Sequence, residues 1–129
     1  MDTNISGTVP IAGAAYAAVV YECKVKRNHL MQTHSITLGM NIPNAGTVTN
    51  QMWIQFLNDT VLASLEYATI TDAIGIYKGT VEKSKVISVT TEDPAVMKSL
   101  AKVGDAYKAA FNQDAIMYTV TNVPILQFT

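Results

Sequence analysis

The feature that most constrains this chain is a pair of β-rich runs, Glu66 to Tyr77 and Glu82 to Thr90, separated only by Lys78-Gly79-Thr80-Val81. β-branched residues on both sides of a short glycine-containing segment predict an antiparallel hairpin with a four-residue loop. A lone hairpin cannot bury an apolar face, so helices must cover it. Two candidates flank it. Ahead of it, Thr47 or Thr49 can cap a helix with Trp53, Phe56, Leu57, Thr60, Val61 and Leu65 at helical spacing, and with Gln51, Gln55, Asn58 and Asp59 turned outward. Behind it, Asp93 is a capping residue and Pro94 sits where proline is favoured at a helix start; Met97, Leu100, Ala101, Gly104, Tyr107 and Phe111 then repeat at three and four.

The run Ala15 to Lys26 is β-branched and aromatic and alternates after Tyr21, which predicts a first strand. Arg27 to Gly46 is the least regular stretch and holds both histidines, and Ser35 to Ile42 within it fits either an irregular second strand or part of a long loop. Ala115 to Thr121 predicts a strand and Pro124 to Phe128 a short closing edge. Residues 1–14 are small and apolar, lack Lys or Arg ahead of the apolar part, and are broken by Pro10 and Gly13. They suit a flexible arm rather than a secretory leader, which makes 15–129 a single domain. The element order is that of a ferredoxin-like α+β sandwich, with two helices on one face of an antiparallel sheet. The other face then needs polar residues or another subunit.

Composition narrows the partners. With 129 residues, 49% hydrophobic, 15% charged and a net charge of −1, the chain suits a globular domain that folds without disulfides or structural metal. Nine cations spread along it make no phosphate-binding stripe, which argues against nucleic acid. No apolar run is long enough to cross a bilayer. The lone Cys23 suits a reducing, cytoplasmic compartment.

With Lys78 to Val81 as the loop, Tyr77 falls opposite Glu82, Gly75 opposite Ser84 and Ala73 opposite Val86, on one small, polar face. The other face pairs Ile76 with Lys83, Ile74 with Lys85, Asp72 with Ile87 and Ile70 with Val89, and suits packing under helices. A phenol and a carboxylate side by side can hold a cation or move a proton.

The run Thr71-Asp72-Ala73-Ile74-Gly75-Ile76-Tyr77-Lys78 resembles a segment of the small bacteriophage S-adenosylmethionine lyases, long called S-adenosylmethionine hydrolases. Glu82 to Val89 is similar to that family's acidic residue followed by a β-run. Asp105 to Met117, with Tyr107 and Gln113-Asp114, is similar to its alanine-rich helix ending in an aromatic, Gln-Asp and a strand. The spacing from Tyr77 to the acid is shorter here than expected of coliphage members. The resemblance implies a homotrimer of ferredoxin-like, signalling-protein-like subunits with sites between neighbouring chains, no cofactor or metal, and a place in the host cytoplasm. It implies that S-adenosylmethionine reacts by attack of its own carboxylate on Cγ, giving homoserine lactone and methylthioadenosine. Tyr77 and Glu82 would be the catalytic pair, Glu82 holding the α-ammonium, with Ala73, Gly75, Lys78 and Ser84 around the substrate. Lys78 or Lys83 would contact the carboxylate. From Trp53-x-x-Phe56 through Phe111-x-Gln113 the chain also resembles a bacterial family of unknown function, which implies no chemistry.

Other chemistry finds little footing. His29 and His34 have no carboxylate or cysteine set beside them, no serine sits in a G-x-S-x-G elbow, and the glycines form no nucleotide-binding loop. The competing reading is a non-catalytic oligomeric module that binds a small molecule or a signalling partner on the same sheet.

Overall fold

A computed structural model describes residues 31–124 and 126–128, and for Tyr77 the backbone alone. The arm, the strand expected at Ala15 to Lys26, Cys23 and His29 lie outside the described residues. The chain divides into two compact units, Thr33–Val120 and Met1–Gln32 with Thr121–Thr129. In the latter, the Gln32 amide donates to Asn122 Oδ1 at 3.0 Å and the Val123 N–H donates to the Met31 carbonyl at 3.0 Å. No described helix is long and apolar enough to cross a membrane.

The elements run β1 (Gln32–Gly39), β2 (Asn41–Ile42), β3 (Gly46–Thr47), α1 (Asn50–Phe56), α2 (Leu62–Ser64), β4 (Thr69–Tyr77), β5 (Thr80–Thr91), α3 (Val96–Phe111) and β6 (Met117–Asn122). Four strands form one antiparallel sheet in the order β4-β5-β1-β6, while β2 and β3 pair as a separate ribbon. With β5 inserted between β1 and β4, this is the βαββαβ order of the ferredoxin-like sandwich. The segment that read as irregular is therefore an interior strand. Its alternation is strict: His34, Ile36 and Leu38 are buried, with Thr33, Ser35 and Thr37 on the other face. A histidine in a buried slot and hydroxyls opposite it hide the period in a hydropathy reading.

Thr49, not Thr47, caps the first helix, its Oγ1 accepting from the Met52 N–H at 3.1 Å. A π-helical turn over Leu57–Val61 joins α1 to α2 and brings Val61 into the core beside Trp53 and Phe56. Gln51, Gln55, Asn58 and Asp59 are exposed as expected. The later helix starts past the expected cap: Asp93 Oδ1 accepts from the Ala95 N–H at 2.9 Å in the turn before α3. Its buried stripe is Leu100, Val103, Gly104, Tyr107 and Phe111, so Met97 and Ala101, expected inside, are exposed. Asn112 ends the helix in the left-handed region at φ 52. Among the described residues from Pro124 to Phe128 there is no strand.

The core between sheet and helices joins Ile36, Leu38, Ile87 and Val89 to Leu100 and Val103. An aromatic cluster closes one end, with the Phe56 ring 5.3 Å from Tyr107 and Tyr107 4.8 Å from Phe111, centroid to centroid. His34 is 2% exposed, and its Nδ1 lies 2.7 Å from the Tyr118 hydroxyl.

Burial lowers the His34 pKa from its usual 6.5, because the charged ring would be poorly hydrated there. A depressed histidine contributes stability that is present above the unfolded-state value and lost as pH falls through the folded one. Urea midpoints should therefore fall as pH drops below about 6.5. In His34→Gln that part of the decline should be absent.

Candidate functional site

Two residues, Lys78 at φ 49 and Gly79 at φ 80, turn the hairpin. Both in the left-handed region is the signature of a type I′ turn, whose twist matches that of the strands it joins. The loop is thus two residues rather than four, and the register moves by two. Tyr77 pairs with Thr80, Gly75 with Glu82, and Ala73 with Ser84. An even shift keeps every side chain on its face, so Tyr77 and Glu82 share a face as diagonal neighbours instead of sitting opposite each other. Cross-strand diagonals of this kind are about 7–8 Å apart. The Tyr77 side chain itself is outside the described residues.

The other face also departs from expectation. Ile70, Ile87 and Val89 pack under the helices, but Ile74, Ile76 and Val81 are 69%, 77% and 60% exposed. The hairpin end projects past the helical layer. Lys83, opposite Ile74, stands on this side and so faces away from Glu82.

Glu82 is the best-defined candidate. Its Oε2 accepts from the Asn41 N–H at 3.0 Å, so the carboxylate lies across the end of β1. Gly39 makes room for it: a Cβ there would stand 2.5 Å from Oε2. The same bend is held from the α3 side. The Tyr107 hydroxyl donates to the Gly39 carbonyl at 2.6 Å, and the Gln113 amide donates to the Asn41 carbonyl at 2.7 Å. Burial, and secondarily the Glu82 charge, push the Tyr107 pKa up to about 12, so the phenol remains a donor. Three residues picked out by the lyase resemblance, Glu82, Tyr107 and Gln113, thus converge on Gly39 to Asn41. The one-dimensional reading missed this corner. Gly39 and Asn41 lay in the segment without clear periodicity, and no short motif links them to Glu82.

Of the remaining candidates, Ala73, Gly75 and Ser84 share the Glu82 face, and Ser84 is buried. Lys78 sits at the loop tip. That face is small and polar as expected, with Ser35 Oγ 2.9 Å from Ser88 Oγ and Thr33 Oγ1 2.7 Å from Thr90 Oγ1. His34, in the stretch that read as least regular, is a buried strand residue. No three His, Cys, Asp or Glu side chains gather as a metal site among the described residues.

Sheet order, paired helices and an anchored carboxylate define a ferredoxin-like α+β protein with a polar sheet face. The family model described as a protein of unknown function (DUF3574) matches residues 33–126, and the chain belongs to that family. No curated protein matches it. Among solved structures, a phage SAM lyase in complex with S-methyl-5′-thioadenosine is similar at 18% identity and a TM-score of 0.55, over 76% of this chain and 85% of that one. A phage SAM lyase in the apo state is similar at 17% identity and a TM-score of 0.51, over 75% and 84%. At these identities the likeness is one of fold.

Gly39→Ala should cost about 1–3 kcal/mol, since it must drive the carboxylate off the Asn41 N–H or bend β1. Placed on a Glu82→Ala background, the same substitution should cost markedly less. A double-mutant cycle in urea reads the difference.

Proposed function

We propose that this protein is an S-adenosylmethionine lyase that works at the polar face of the β4-β5 hairpin. The observation that carries the reading is the anchored Glu82 carboxylate on a fold shared with phage SAM lyases. With Oε2 occupied by the Asn41 N–H, Oε1 keeps its lone pairs for a substrate ammonium. Tyr77, diagonal to it, would position the substrate by a hydrogen bond. Ala73 and Gly75 leave a shallow floor beside them, with Ser84 next to Ala73 and Lys78 at the loop tip.

The chemistry asks little of the protein. A carboxylate oxygen of the substrate forms a bond to Cγ as the Cγ–S bond breaks, and the bond's electron pair leaves on sulfur. The sulfonium becomes a neutral thioether, the products are homoserine lactone and methylthioadenosine, and no proton, water or metal takes part. Opposite charges are consumed along that path, so a cleft that holds the folded conformer and excludes water lowers the barrier. A neighbouring subunit would complete such a cleft, and the exposed Ile76 and Val81 suit burial in a homotrimer.

One observation favours a non-catalytic binding module instead: the Asn41 bond gives Glu82 a structural use without any substrate. Incubation with S-adenosylmethionine separates the two, since only the lyase releases methylthioadenosine. Glu82→Gln should lower kcat/KM by one to two decades, about 1.5–3 kcal/mol for one charge-assisted bond, and Tyr77→Phe by less. Parent rates in both variants would remove these residues from the site. Light scattering at micromolar concentration should give a trimer mass, and a monomer would overturn the shared-cleft arrangement.

A further inference from the structure

The helix-side face of the hairpin, opposite Glu82, holds a cavity of about 630 Å³ lined on its polar side by Lys83, Lys85, Asp72 and Asn50 and on its apolar side by Trp53 and Ile74. That size suits a small organic molecule. Lys85 is fixed there, bonded to Asp72 at 2.5 Å and lying 5.6 Å over the Trp53 ring. Lys83, two positions back on the same face, holds the Met40 N–H with its backbone carbonyl at 2.9 Å, and its exposed ammonium has no ion-pair or hydrogen-bond partner among the described residues, nor does the Asn50 carboxamide. Two lysines against one aspartate leave the lining with an excess positive charge, next to an aromatic and aliphatic wall.

We infer that this cavity binds a small organic anion, an apolar body bearing one carboxylate or phosphate, with the anionic group on Lys83 and Asn50 and the body against Trp53 and Ile74. A neutral ligand would make no use of the Lys83 ammonium, and a bare inorganic anion would not use the apolar wall. A cation, such as the sulfonium substrate proposed above, is disfavoured by the same charge balance; the cavity shares Ala73 and Ser84 with the proposed lyase floor, but the anion contacts fall on side chains that the lyase reading does not use, Lys83, Asn50 and Trp53. Lys85, already committed to Asp72, shapes the wall and adds to the field.

Trp53 is the sole tryptophan of the chain, so its emission and its indole N–H resonance are single, assignable reporters at the cavity wall. The probes are 3-phenylpropionate and 3-phenylpropylamine, which share a body and differ in charge. The acid should shift the Trp53 indole signal and the Lys83 and Lys85 amides saturably, and the amine at equal concentration should not. Lys83→Gln should weaken the acid about tenfold, the scale of one charge-assisted bond. Lys98→Gln, which removes the same charge from α3 outside the cavity, should leave it unchanged. Equal shifts from acid and amine, no saturable shift at these resonances, or full affinity in a folded Lys83→Gln variant would each overturn the proposal.

Discussion

The bend at Gly39 to Asn41, where β1 gives way to the β2-β3 ribbon, is the point on which this structure turns. Its peptide groups are claimed from three directions: the Gly39 carbonyl by Tyr107, the Asn41 N–H by Glu82 and the Asn41 carbonyl by Gln113. A strand that ends in the interior of a sheet leaves polar backbone groups with no ladder to join, and a buried one left unpaired is costly. Here α3 and β5 both supply the missing partners. The position of the later helix, the path into the ribbon and the aim of the Glu82 carboxylate are set together.

That coupling bears on how the family resemblance is understood. Tyr107 and Gln113 look like functional residues in one dimension because they stand in a short recurring pattern. In three dimensions they hold the backbone against which Glu82 rests. A motif of this sort travels with a fold as readily as with an activity. In this chain Tyr107 and Gln113 secure a corner, and what the corner serves depends on the hairpin face beside it.

Elements whose signals are local were legible in the sequence. A threonine cap at 47 or 49, the outward Gln51 and Gln55 and the existence of the hairpin all follow from residue types at fixed offsets, and the structure chooses Thr49. What failed depended on partners distant in the chain. Thr33 to Leu38 alternates, but with histidine and hydroxyls in the slots, and only the neighbouring strands reveal it as interior. The α3 stripe lay one step round from the expected one because Val103 turns inward where Ala101 was expected, alongside Gly104 against Ile116. The loop length failed for a different reason. Lys78 accepts the left-handed conformation that glycine and asparagine more often supply, so the tighter turn carried no compositional flag. The carboxylate anchor was illegible altogether, since it joins Glu82 to Asn41 across the sheet.

The two-residue turn also governs how this hairpin can change over evolutionary time. Side chains alternate strictly along both strands, so the parity of the loop decides which residues share a surface. Adding or removing a pair of residues between Tyr77 and Glu82 slides one strand against the other and leaves both on the same side. A single insertion, unless a bulge absorbs it, would turn the carboxylate to the face of Ile74 and Ile76 and bring Lys83 round in its place. Homologous hairpins that keep this surface should therefore differ in turn length by even steps.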